Sequence, residues 1–355
     1  MGKEIIIVTI SMGNDGAERV LSELSREWIK GGNKVSIIQT GAGNYGVSYD
    51  FPKELEVINI HVSSKVKLIR YLQEINKLIN ILRERPDATV VSFIVASIFV
   101  CVVASFFVEN KFVVSERNNP RECPSGKFQQ KLRDWAFCHA DVCVFQTEDA
   151  MKMFPQKAQK KGIIIPNPID GNLPAPYTGG RRKAIVAACR LHPQKNLPML
   201  IEAFSLLYKE HPDYCLEIYG QGKEKESLEK YVAKLGLSGK VLLPGFASNI
   251  HEKMRDAAMY VSSSNYEGIS NSMLEAMGMG VPTIATDCPV GGARMVIKNG
   301  VNGVLVPVGD TYSFYNAMKK TVEDSEFAAL ISQNAEKIRD KYPLDKIGQR
   351  WIEVL

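Results

Sequence analysis

Apolar positions recur along this chain with two periods. Short runs rich in β-branched residues, EIIIVTIS, KVSIIQT, LEVINI, ATVVSFI, KFVVSE, DVCVFQT and KGIIIPN, mark the first half. Between most of them the apolar positions return every three or four residues, as in AERVLSELSREWIKGG, KLIRYLQEINKLINILRER and KFQQKLRDWAFCHA, and these stretches predict amphipathic helices. Strands apolar on both faces and separated by helices predict a parallel sheet covered on both sides. Ligands of such sheets bind outside the carboxyl ends of the strands. The most apolar run, Phe93 to Val108, stops short of a membrane span and is interrupted by Ser97 and Ser105. It predicts a strand end followed by a buried helix.

Periodicity vanishes in PNPIDGNLPAPYTGGRR, Pro166 to Arg182, which reads as a linker. It then restarts: KAIVAAC, a helix from Leu197, CLEIYG, a helix from Glu224, KVLLPG, a helix near Ile250, MYVSSS, the helix of YEGISNSMLEAMGMGVP, PTIATD and GVLVP. The pattern predicts an α/β protein of two doubly wound domains, residues 1–168 and 183–340, joined by a linker at 169–182. The cleft between two such domains is the default site. In residues 341–355, Ile347, Trp351 and Leu355 fall at helical spacing and predict a last helix with one apolar edge.

Composition adds little to this picture. The 355 residues are 45% apolar and 23% charged, as in an ordinary folded protein. Most of the net charge of +5 lies in residues 1–168, with 22 Lys+Arg against 18 Asp+Glu. A mildly basic half suits an anionic ligand or membrane surface; no nucleic acid is expected as partner. The seven cysteines are odd in number, scattered and without C-x-x-C spacing, which predicts reduced, buried thiols in a cytoplasmic protein. MGKEIIIVTIS reads as a first strand and not as a signal peptide.

Candidate chemistry clusters where strands end. After the first strand, Gly13 and Gly16 lie in a loop opening a helix, where backbone amides and the helix dipole favour an anion. Asp15 in that loop is equally a helix cap. In CRLHPQKNLPMLIEAF, Arg190 follows a strand and Lys195 precedes a helix, so two cations could clamp a pyrophosphate. Gly222, in IYGQGKEKESLE, would let a base or ribose lie against the backbone, or simply make a turn. The Walker spacing is absent.

YEGISNSMLEAMGMGVP carries two acids, Glu267 and Glu275. Ser272 and Glu275 are spaced as a capping box, which accounts for Glu275 if the helix begins at Met273. If the helix begins near Ser270, Glu275 lies inside it, and the amides of Gly268, Ile269 and Ser270 face an anion. Glu267, in a loop after an apolar strand, has no comparable structural role. There is no G-x-S-x-G elbow, no metal-ligand spacing among the histidines and cysteines, and no D-x-D stretch.

Taken together, DGAERV (Asp15–Val20), RLHPQKN (Arg190–Asn196), YGQGKEKESL (Tyr219–Leu228), the pair Glu267 and Glu275, TDCPVGGAR (Thr286–Arg294) and NGVLVPVGD (Asn302–Asp310) resemble glycosyltransferase family 4. These are retaining nucleotide-sugar transferases with the GT-B fold, two Rossmann-like domains facing a central cleft. The resemblance implies a metal-independent enzyme without cofactor. In it Arg190 and Lys195 neutralise the donor pyrophosphate, Glu275 binds the ribose hydroxyls and Glu267 lies by the donor sugar. Gly268, Ile269 and Ser270 meet the sugar or distal phosphate, Gly16 faces the phosphates from the N-terminal domain, and Gly222 borders the base. The last helix crosses back to that domain.

SERNNPRE (Ser115–Glu122) resembles members that build bacterial surface polysaccharide and lipid-linked oligosaccharide. This and TDCPVGGAR imply a UDP-hexose or UDP-N-acetylhexosamine donor and a glycan or polyprenyl-diphosphate-linked acceptor. Ser-Glu-Arg-Asn stands where many relatives carry a histidine, so Asn118 or Arg117 becomes a candidate near the reaction centre. UDP-N-acetylglucosamine 2-epimerases share the architecture and are the alternative, as is a non-catalytic sugar-nucleotide sensor. Lys65, Lys67, Arg70, Lys77, Arg83 and Arg85 on one amphipathic helix, with Lys127, Lys131 and Arg133 beyond, predict either a solvated face or a peripheral contact with an anionic leaflet.

Overall fold

Each β-branched run of the first half is a strand: β1 (Glu4–Thr9), β2 (Lys34–Gln39), β3 (Glu56–Asn59), β4 (Thr89–Ser92), β5 (Phe112–Glu116), β6 (Val142–Phe145) and β7 (Gly162–Ile164). The computed structural model describes residues 2–10, 12, 16–40, 51–60, 62, 64 and 66–355. Gly13, Asp15, Lys65 and the side chain of Lys67 lie outside the described residues. The seven strands form one parallel sheet in the order β3-β2-β1-β4-β5-β6-β7. Helix Gly16–Lys30 follows β1, and helices Lys67–Arg83, Val95–Ala104 and Lys127–His139 make the crossovers from β3 to β6. The run Phe93–Val108 is the turn after β4 and a helix whose apolar side chains are mostly buried, because it packs between its two neighbours.

The second half repeats the plan with β8 (Arg182–Ala188), β9 (Cys215–Tyr219), β10 (Val241–Gly245), β11 (Ala257–Ser262), β12 (Thr283–Thr286) and β13 (Val304–Val306). All pairings are parallel, in the order β10-β9-β8-β11-β12-β13. The chain leaves β8 to one side and returns to its other side at β11. That reversal opens a crevice at the carboxyl ends of β8 and β11, the usual place for a ligand in such sheets.

The chain divides into two compact units, residues 1–168 with 344–355, and residues 169–343. Residues 169–181 are packed rather than extended between the units. Ile169 donates its N–H to Tyr342 O at 2.8 Å, Leu173 is buried, and Arg181 donates to the carbonyls of Ala257 and Gly280 at 3.1 and 2.5 Å. The second unit therefore uses this segment to cover its own surface.

The last helix, Leu344–Val354, belongs to the first unit and packs on helix Gly16–Lys30. Gly348 permits the approach, since a Cβ there would stand 2.9 Å from Glu27 Cγ. Trp351 is fully buried, its ring centroid 6.2 Å from Trp28 and 5.2 Å from Phe93, and Trp28 Nε1 donates to Gly348 O at 3.2 Å. Thr89 Oγ1 donates to Leu355 O at 3.0 Å, tying the helix to the start of β4.

All seven cysteines are free, but only Cys101, Cys143 and Cys288 are buried; Cys138, Cys189 and Cys215 are half-buried, and the expectation of buried thiols fails outright at Cys123. It is exposed because it lies in the surface loop that precedes helix Lys127–His139. Among the described residues no helix is long and apolar enough to cross a membrane.

Trp28, Trp135 and Trp351 are the three tryptophans and all lie in the first unit, so tryptophan fluorescence follows that unit alone. Trp351→Ala opens a cavity among Trp28, Phe93 and Arg117, and is expected to cost the first unit about 3–5 kcal/mol. Urea unfolding followed by fluorescence checks this, and a cost below about 1 kcal/mol would show that the helix is peripheral to the unit's stability.

Candidate functional site

Arg190 and Lys195 stand on the loop that leaves β8, and Glu267 on the loop that leaves the adjacent strand β11. The first loop turns through a short 3-10 helix, Pro193–Lys195, with His192 at its start: His192 Nδ1 accepts from Gln194 N at 3.2 Å. Asn196 then takes left-handed backbone angles (φ 47°, ψ 45°), and helix Leu197–Glu210 begins. Asparagine tolerates that region better than most residues because its short polar side chain bonds locally.

Hydrogen bonds stitch the two loops together. Ser263 Oγ donates to Lys195 O at 2.7 Å, Asn265 N to Gln194 O at 2.8 Å, and Gln194 Nε2 to Tyr266 O at 2.9 Å. The stitching brings Lys195 Nζ onto the Glu267 carboxylate, which also accepts from Ser264 Oγ at 3.0 Å. Their side chains are only 12% and 22% exposed. Burial alone would pull the Lys195 ammonium down, but the Glu267 carboxylate more than offsets it and the group titrates above the ordinary lysine range. Lys195 therefore stays charged. The thiols beside the pair are inert at neutral pH, since burial pushes Cys189 up to about 11 and Cys288 up to about 12. Arg190 is exposed on the same loop.

The helix after Glu267 spans Asn271–Gly278, with Ser270 at its N-cap, so the earlier of the two helix starts is the observed one. The capping-box account of Glu275 fails. Ser272 Oγ donates to Ala188 O at 2.9 Å and shares a hydrogen bond with Tyr260 Oη at 2.8 Å, which ties the helix to the end of β8. Glu275 instead lies inside the helix, 2% exposed, with Oε2 3.1 Å from Nε2 of His251. His251 comes from helix Ile250–Arg255, between β10 and β11.

Gly268, Ile269 and Ser270 form the turn into the helix, and the loop after β12 presses against it. A Cβ on Gly292 would stand 1.9 Å from Gly268 O, so only glycine allows the approach. Just before it, buried Val290 takes φ 69°. A β-branched residue is strained there, and such strain persists only where the surrounding fold enforces it.

Gly222 has a backbone role. A Cβ on it would stand 2.1 Å from Leu191 O, and Leu191 N donates to Gln221 O at 2.8 Å, so the loop after β9 lies directly on the loop that carries Arg190 and Lys195.

Gly16 and Asn118 belong to the first unit. Gly16 is the first residue of its helix. Asn118 follows β5, its N–H donating to Glu116 Oε1 at 2.9 Å and its Oδ1 accepting from Asn119 N at 2.8 Å. Beside it Arg117 lies over the rings of Phe93 and Trp351, 4.3 and 5.1 Å from their centroids, and donates to Asn167 Oδ1 at 3.0 Å. Burial pushes Glu116 up to about 7, against N–H donors from Asn118 and Arg117, and pulls Arg117 down to about 9.

Sequence reasoning missed His251, which no motif marks. A histidine in a short helix reads as surface until the fold sets it against a buried acid. Among the described residues, Glu210, His211 and Glu323 are close enough to share an ion, but the Lys319 ammonium already pairs with both carboxylates.

Residues 177–338 match the family model described as "Glycosyl transferases group 1". The chain is 29% identical over 220 residues to the poly(glycerol-phosphate) alpha-glucosyltransferase of Bacillus subtilis, covering 61% of this chain and 32% of that protein. It thus spans about a third of that relative's length. It is 23% identical over 359 residues to an uncharacterized glycosyltransferase of Haemophilus influenzae, covering 99% and 100% of the two. The structure of Anabaena HepE in complex with UDP-glucose superposes with a TM-score of 0.85, at 20% identity, over 99% of this chain and 98% of that one. The fold is GT-B, two Rossmann-like α/β domains each built on a parallel sheet.

Glu267→Ala leaves the Lys195 ammonium partly buried and unpaired. It is expected to lower stability by about 1–3 kcal/mol, less than for a fully enclosed pair because water still reaches both groups. Lys195→Met should offset part of this in the double variant, a coupling of about 1 kcal/mol or more. Urea unfolding followed by circular dichroism reads the cycle, and strict additivity would show that the two side chains do not support each other.

Proposed function

We propose that the protein is a retaining glycosyltransferase of family 4. It moves a hexose or N-acetylhexosamine from a UDP-sugar to a glycan or polyprenyl-diphosphate-linked acceptor in bacterial surface polysaccharide assembly, at the cytoplasmic side of the membrane. One observation carries this reading: Lys195 and Glu267, 72 residues apart, meet at the strand-end crevice between β8 and β11, with Arg190 on the same loop and Glu275 in the adjoining helix. The named relatives and the group 1 family model support it.

In this reading the bond between the sugar and the distal phosphate breaks, and negative charge grows on the departing diphosphate. Lys195 exchanges its Glu267 partner for the phosphate oxygens, and Arg190 adds a bidentate fork. Glu267, released from the ammonium, turns to the sugar hydroxyls beside it. The amides of Gly268 to Ser270 meet the sugar or distal phosphate. Glu275 receives the ribose diol, and His251 fixes one of its carboxylate oxygens. Gly222 holds the base-side loop down. The cations and amides do the work that a metal does elsewhere, so none is required.

Two experiments test the proposal. A panel of UDP-sugars, scored by UDP release with lipid-linked acceptors, should find one donor that turns over in the presence of EDTA. Glu267→Ala should cut release at least about 100-fold and change UDP affinity by less than about threefold. Absence of both UDP binding and UDP release would overturn the reading, and sugar interconversion by donor alone would make the protein an epimerase.

The second experiment compares UDP with 2′-deoxy-UDP. The wild type should prefer the ribonucleotide at least about tenfold, as expected when one hydrogen bond to a charged carboxylate is lost. Glu275→Ala should erase the preference and His251→Ala should shrink it, with no further loss when the two are combined. A preference unmoved by Glu275→Ala would exclude the ribose assignment.

A further inference from the structure

The crossovers from β3 to β4, β4 to β5 and β5 to β6 all step across the first sheet in the same direction. Right-handed connections therefore set helices Lys67–Arg83, Val95–Ala104 and Lys127–His139 side by side on one face. The middle helix packs on both neighbours. Their outer surface is unusually apolar. Leu68 is 70% exposed and Phe128 79%, and Leu72, Phe106 and Trp135 are exposed as well. Ring contacts link the three helices: Tyr71 to Phe99, Phe99 to Trp135 and Trp135 to Phe106, with centroids 6.0–6.2 Å apart. Scattered exposed side chains need no explanation, but a linked apolar ridge marks an interaction surface.

The charge carried by the three helices is net positive. Helix Val95–Ala104 contains no charged residue. The one acid of helix Lys67–Arg83, Glu74, is buried, and the one acid of helix Lys127–His139, Asp134, is held by Arg133 at 2.7 Å. Lys77, Lys127 and Lys131 are exposed, and Arg70 is half-buried over the Tyr71 ring. A second copy of this face would set cations against cations. An anionic bilayer supplies the complementary charge together with an apolar phase for the Leu and Phe side chains and an interfacial zone for Trp135.

We infer that this three-helix face is a peripheral docking surface for an anionic lipid bilayer, with the aromatic ridge inserted at the headgroup level and the lysines on the lipid phosphates. The surface lies wholly in the first unit and does not depend on the donor-site reading, so either can fail without the other.

The test uses the full chain and vesicles of phosphatidylcholine with or without 30% phosphatidylglycerol. Trp28 and Trp351 are buried, so a change in tryptophan emission reports Trp135. The wild type should sediment with the anionic vesicles at low salt and show a blue shift that Trp135→Phe abolishes. Phe106→Ser with Phe128→Ser, and separately Lys127→Glu with Lys131→Glu, should each weaken binding at least tenfold, leaving the urea midpoint and UDP affinity unchanged. Lys234→Glu with Lys298→Glu, exposed and in the second unit, is the charge-matched control and should bind as the wild type. No binding to anionic vesicles at low salt overturns the inference. So does binding that the face variants leave intact, or a concentration-dependent dimer that the Phe variants dissolve.

Discussion

The arrangement of the second unit depends on how two strand-end loops are held to each other. A lysine and a glutamate that meet in a partly buried crevice each lose hydration, and the pair is stable only if the backbone beneath it cannot drift. Here the constraint comes from hydrogen bonds between the loops after β8 and β11, through Ser263, Asn265 and Gln194. Two further contacts brace the same loops from the sides, Gly222 against Leu191 and Ser272 on Ala188 O. Every one of these contacts involves a backbone group. Side chains elsewhere in the site can then vary with the ligand while the frame that sets Lys195 and Glu267 stays fixed.

The ion pair also gives the crevice a defined electrostatic arrangement. An uncompensated lysine in that position would be pulled toward neutrality by burial, whereas beside Glu267 it remains a full cation.

The fold was largely legible in the sequence because the central strands of both sheets are buried on both faces. Thirteen apolar runs read as strands, and all thirteen are strands. The helix at Asn271 was ambiguous because Ser272 and Glu275 have the spacing of a capping box. The serine is used instead against Ala188 and Tyr260, 84 and 12 residues away. The site was legible in part. Arg190, Lys195, Glu267 and Glu275 could each be placed at strand ends or a helix start, but nothing in local periodicity shows that Lys195 touches Glu267 or that His251 reaches Glu275. Gly222 could be read as a turn or as a ligand platform, and its tight approach to Leu191 appears only when β8 and β9 are paired. Residues 169–181 look like a free linker because proline and glycine erase periodicity, yet buried Leu173 and Arg181 hold them to the second unit.

The docking of Leu344–Val354 onto helix Gly16–Lys30 makes the first unit discontinuous in sequence, while the second, residues 169–343, is one uninterrupted segment. During synthesis the ribosome adds about 5–20 residues per second. The 175 residues of the second unit then occupy roughly 9–35 s between the completion of β7 and the arrival of Trp351. Throughout that interval Trp28 and Phe93 lack their cover, and Arg117 has an aromatic ring on one side only. The later-made unit can close first, and the earlier-made one must wait exposed. The nascent chain is most open to aggregation and chaperone capture in this earlier-made unit.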